Sequence, residues 1–90
     1  MGCFTQFLIY LLMTEGQVQK KLVDKLESEG CYVIKLMKTN KNGIPDLLVF
    51  RDGVPTFIEV KKENGKLSRL QSYRLQELNK YGIKTKVHYG

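Results

Sequence analysis

The chain has 90 residues, with 15 Lys and Arg against 9 Asp and Glu and a net charge of +6, which bounds it to one small domain with an anionic partner such as nucleic acid. A domain of this size buries only about 60–65% of its unfolded surface, so a homodimer is expected. Cys3 and Cys31 fit neither a metal spacing nor a disulfide framework, which points to a reducing, cytoplasmic setting and to thiols without a chemical role.

Residues 1–13 read as an apolar extension of open status. The run Cys3-Phe4-Thr5-Gln6-Phe7-Leu8-Ile9-Tyr10-Leu11-Leu12 is far short of the roughly 20 residues that span a bilayer, and it lacks the positive flank of a signal peptide. Neither membrane attachment nor an organic cofactor is expected. Met13 directly precedes a helix start, so residues 1–12 either lie upstream of the natural initiation site, form a dispensable extension, or pack as a strand, a helix or a dimer contact.

The main domain is expected over residues 14–90. Thr14-Glu15-Gly16-Gln17 fits a capping box, and Gly30 fits the stop of the helix it opens. Val18, Leu22 and Leu26 form its apolar stripe, and at 100° per residue Glu15 projects along that same stripe. Cys31 to Leu36 reads as a strand, and Lys38-Thr39-Asn40-Lys41-Asn42-Gly43 as a basic loop.

Two apolar runs follow, Ile44-Pro45-Asp46-Leu47-Leu48-Val49-Phe50 and Phe57-Ile58-Glu59-Val60-Lys61, separated by a segment containing Asp52-Gly53. Asp-Gly between such runs is a strong hairpin signal. With those two residues as the turn, paired positions sum to 105 and Asp46 falls opposite Glu59. Opposed residues share a face with Cβ atoms about 5 Å apart, where like charges repel, so the pair predicts a bound cation. Lys61, two residues beyond Glu59, projects to the same face.

Asn64-Gly65 reads as a turn, and Ser68-Arg69-Leu70-Gln71 as a second capping box opening a helix to about Lys80, with Gly82 as its stop. Gln71 shares a face with Leu75 and Leu78. Ile83 to Tyr89 alternates Ile83, Thr85, Val87 and Tyr89 against Lys84, Lys86 and His88, as in a half-exposed strand. The order is α-β-β-β-α-β, an α/β fold with a mixed sheet flanked by helices. Clustered carboxylates of this kind bind Mg²⁺ or Mn²⁺, and a lysine beside the ion can orient or deprotonate a water, or stabilise charge growing on a phosphorane.

Pro45-Asp46 with Glu59-Val60-Lys61 resembles the signature of the PD-(D/E)xK nuclease superfamily. Glu15-Gly16-Gln17-Val18-Gln19, Gly43-Ile44-Pro45-Asp46, Glu59-Val60-Lys61 and Leu67-Ser68-Arg69-Leu70-Gln71 are similar to the virus-type replication-repair nuclease domain, VRR-NUC, over about residues 14–89. The resemblance implies a restriction-endonuclease-like core and a Mg²⁺- or Mn²⁺-dependent DNA endonuclease. Asp46, Glu59 and the Val60 carbonyl would be metal ligands, Lys61 the catalytic lysine, Glu15 a helix-borne metal-site acid and Gln71 a second-helix site residue. Small stand-alone members, often phage-encoded, are similar to Holliday-junction resolvases and act as homodimers on branched DNA.

Plainer readings stand beside these. Asp46 can be a turn acid, and Glu59 and Lys61 a solvated strand face with an ion pair worth about 0–1 kcal/mol. Glu15 can merely favour its helix terminus, and Gln71 can merely close its capping box. His88 reads as a surface residue rather than a general base. Lys41, Lys62, Lys66 and Arg69 are expected to contact DNA phosphates without reading sequence. The rivals to junction cleavage are a flap, nick or non-specific nuclease of the same fold and a basic nucleic-acid-binding module without catalysis.

Overall fold

A computed structural model describes residues 13–90, and the expectation for the apolar segment 1–12 lies outside them. Helix α1 spans Glu15–Ser28, and strands β1, β2 and β3 span Tyr32–Lys35, Leu47–Arg51 and Val54–Lys61. Helix α2, Arg69–Lys80, and strand β4, Lys84–Tyr89, complete the expected order.

Both helices begin and end as their sequences dictate. At α1 the Gln17 amide donates to Thr14 Oγ1 at 3.2 Å and the Thr14 amide donates to Gln17 Oε1 at 2.9 Å. Each supplies a partner to an amide that no helix carbonyl can reach. Beyond Ser28 the Gly30 amide donates to the Glu27 carbonyl and the Cys31 amide to the Leu26 carbonyl, both at 3.0 Å, which turns the chain sharply into β1. Helix α2 repeats the arrangement with Ser68 and Gln71 at its start and with Gly82 and Ile83 at its end.

The sheet order is β1-β2-β3-β4, antiparallel at the first two pairings and parallel between β3 and β4, which α2 joins. Arg51 pairs with Val54 and Leu47 with Ile58, so the register is the one that a two-residue Asp52-Gly53 turn imposes. Asp52 and Gly53 have φ of 52° and 79°, as a type I′ turn requires. Strand β1 is shorter than the expected 31–36, because Cys31 is drawn into the core; the ladder nevertheless continues through the Leu36 amide, which donates to the Asp46 carbonyl at 2.8 Å.

Alternation along the strands sorts side chains between two faces. Leu47, Val49, Ile58 and Val60 pack with Val18, Leu22, Val23 and Cys31 beneath α1. Burying an aliphatic side chain of that size contributes roughly 1.5–3 kcal/mol, so this face holds the fold together. The opposite face carries α2, which packs on β4 and buries Leu75. Strand β3 is therefore buried on both faces from Ile58 to Lys61.

Strand β4 departs from its expected alternation at the end. Tyr89 is exposed, whereas His88 is half-buried rather than a surface residue. The first turns of α1 reach this end of the strand, and His88 borders a cavity of about 290 Å³ with Met13, Val18, Lys21, Leu22 and Lys25. Among the described residues no helix is long and apolar enough to cross a membrane.

Candidate active site

The two strand acids meet where β2 begins and β3 ends. Asp46 immediately precedes β2, after the fully buried Pro45, and continuation of the Leu47–Ile58 register sets it opposite Glu59. Its Oδ2 accepts from the Val60 amide at 2.9 Å, extending the β2–β3 ladder with a side chain. A carboxylate offers about four acceptor positions, so this bond leaves capacity for a cation.

Glu59 is only 2% exposed, and its Oε1 accepts from Gln71 Nε2 at 2.8 Å. Gln71 makes this contact while its Oε1 accepts the Ser68 amide, so capping box and site contact coexist in one side chain. Lys61, 7% exposed, lies with Nζ 3.9 Å from Glu59 Oε1 and 3.8 Å from Glu15 Oε1. A solvated strand face is thus not what Glu59 and Lys61 occupy.

Glu15 stands in the first turn of α1 with its side chain half-exposed, so the helix-terminus role and the approach to Lys61 are both present. Burial pushes the Glu59 carboxyl up to about 7, the charge of Asp46 adds to that rise, and Lys61 offsets part of it. A buried acid facing the charge of a second, half-buried one is a local demand for positive charge beyond what Lys61 supplies.

The donor set suits a hard divalent ion, which prefers oxygen ligands and keeps several waters. No group of three His, Cys, Asp or Glu side chains gathers to hold a metal among the described residues. Asp46 and Glu59 would supply the carboxylates, the Val60 carbonyl and water the remainder, and Glu15 meets Lys61 instead of completing a triad of acids.

Lys41, Lys62, Lys66 and Arg69 are all exposed. Lys41 lies in the loop before Asp46, Lys62 and Lys66 in the β3–α2 connection, and Arg69 at the start of α2, so all four flank the segments that carry the acids. His88 pairs with Val60 and not with Glu59, which puts it on the α1 face, across the sheet from the carboxylates. Burial lowers its pKa, and Lys86 and Lys25 lower it further.

One contact near the site escapes sequence reasoning. Arg74 Nε donates to the Asn42 carbonyl at 2.7 Å, joining α2 to the loop that leads to Asp46. Its acceptor is a backbone atom, so no residue type announces it; the only sequence signal is that Arg74 follows Gln71 by three positions and shares its side of the helix.

Comparison with known proteins agrees with this geometry. The family model for the VRR-NUC domain matches residues 6–90, a span that takes in part of the apolar segment. A solved structure titled "VRR_NUC domain" is 38% identical, covers 87% of this chain and 86% of its own, and superposes with a TM-score of 0.76. A search of curated proteins gives no match.

Proposed function

The chain belongs to the VRR-NUC family, nucleases of the PD-(D/E)xK type that act on DNA, and from that premise we propose that it is a Mg²⁺- or Mn²⁺-dependent endonuclease that cuts branched DNA such as four-way junctions. The observation that carries the reading is the buried Glu59, set opposite Asp46 and beside Lys61.

Asp46 and Glu59 would hold the ion, and Gln71 fixes the Glu59 carboxylate by donating to it. When bound, a divalent ion would supply Lewis acidity at the phosphate and lower the pKa of a water beside it. Lys61 orients the attacking water and stabilises the negative charge that grows as the new oxygen–phosphorus bond forms and the ester oxygen departs. Glu15, 3.8 Å from Nζ, holds the ammonium in place. No nucleophilic side chain is needed.

Lys41, Lys62, Lys66 and Arg69 supply phosphate contacts, and a homodimer presents two such sites to opposite strands of a junction. A reducing cytoplasm suits the buried free Cys31. The test incubates purified protein with labelled four-way, flap and linear duplex DNA in Mg²⁺, Mn²⁺ or chelator, beside Lys61→Ala and Asp46→Asn. Paired symmetric nicks across the junction are expected, with each variant slower by roughly 10²–10³-fold. Cleavage confined to flaps would replace the junction reading, and no metal-dependent cleavage of any DNA would end the nuclease reading.

A further inference from the structure

The loop between β1 and β2 has no strand or helix of its own, yet it must deliver Asp46 to a fixed place. Two independent contacts tie Asn42 and Gly43 of this loop to the first half of α2. Arg74 donates from Nε to the Asn42 carbonyl at 2.7 Å, while its Nη1 lies 3.1 Å from Glu77 Oε1 and its guanidinium sits 5.4 Å from the Tyr73 ring centroid. Gly43, with φ of 78°, approaches Leu70 so closely that a Cβ there would lie 2.5 Å from Leu70 Cγ. Leu70 and Arg74 are one helical turn apart, and Gln71 lies between them in sequence.

Helix α2 therefore touches both acids' supports. Through Gln71 it holds Glu59, and through Leu70 and Arg74 it holds Gly43 and Asn42, three and four residues upstream of Asp46. We propose that Arg74 is a positioning residue, a latch that fixes the loop on α2 and thereby presets Asp46 against Glu59 for the divalent ion. Arg74 touches neither carboxylate, and it acts through the Asn42 backbone. Its fork fits this task, because a planar guanidinium tied to Glu77 through Nη1 still has its Nε hydrogen free to donate to a backbone carbonyl. The inference rests on the nuclease reading and goes beyond it by naming what fixes the spacing of the two acids.

Mn²⁺ binding to the full chain, measured without DNA by calorimetry and by electron paramagnetic resonance, tests it alongside cleavage rates over a range of Mn²⁺ concentrations. Loss of an outer support for metal ligands typically weakens metal affinity by about 10-fold or more. Arg74→Ala is expected to weaken Mn²⁺ binding by about that factor and to raise the Mn²⁺ needed for half-maximal cleavage in step, with the rate at saturating Mn²⁺ approaching that of the unaltered protein. Arg74→Lys keeps the charge over Tyr73 but lacks the fork, and it should fall between the two. Gly43→Ala, which lifts the loop by a separate route, should reproduce the Arg74→Ala shift. If both variants stay folded and bind Mn²⁺ like the unaltered protein while it cleaves DNA, the latch is refuted and the nuclease reading stands. If the unaltered protein neither binds Mn²⁺ nor cleaves, both fall together.

Discussion

Glu59 ties acidity to stability in a way that can be read by titration. Its carboxyl is pushed up to about 7 by burial and by Asp46, so between the ordinary carboxylate range near 4.5 and about 7 it is protonated when folded and ionised when unfolded. The stability it contributes is complete below about 4.5 and is lost as pH rises through 7. The Glu59 contribution should therefore lower the melting temperature of the metal-free protein at pH 8 relative to pH 5, while Mn²⁺, which requires the ionised form, should raise the melting temperature more at pH 8. His88 works in the opposite sense, because burial disfavours its charged form. Calorimetry of Glu59→Gln separates them: that variant should lose the Glu59 slope and keep the His88 one, and an unchanged slope would show that Glu59 ionises as an ordinary acid. The acids and Lys61 were legible in the sequence because hairpin arithmetic and strand alternation depend only on position. The Arg74–Asn42 bond was not, because a backbone carbonyl looks the same after every residue.

At the scale of elements, the Asp52-Gly53 turn governs the site from its far end. It sets which residues oppose one another along the hairpin, and a slip of one would send Asp46 to the other face from Glu59. Gly53 sits at φ 79°, a conformation that costs a residue with a Cβ about 1–2 kcal/mol. Gly53→Ala should lower chemical-denaturation stability by about that amount and leave Mn²⁺ affinity untouched; weakened affinity would show that the turn also tunes the acids' spacing. Both capping boxes and both helix stops were readable because each satisfies amides or carbonyls within a few residues. The depth at which Glu59 and Lys61 are buried was not, since it arises from residues far off in sequence, Gln71 of α2 against Glu59 and Glu15 of α1 against Lys61. Helix α1, packed on the other face, half-buries His88, which strand alternation alone leaves at the surface.

For the whole molecule, the net charge of +6 makes association with DNA sensitive to salt. If Lys62 and Lys66 each meet a phosphate, replacing either with Ala should reduce the slope of log affinity against log salt by about one and leave the cleavage position unchanged. Fluorescence anisotropy with labelled junctions over a range of salt measures the slope, and an unaltered slope would remove that lysine from the interface. The element order followed from local signals, and the mixed sheet from the family resemblance. Which strand edges and faces meet a second copy did not, because that information lies in surfaces whose partner is another chain.

The bond from Asp46 Oδ2 to the Val60 amide makes one proton common to the sheet and the chemistry. Its exchange with solvent deuterium opens only when that carboxylate swings away, so a single backbone resonance reports the readiness of the site with neither metal nor DNA bound.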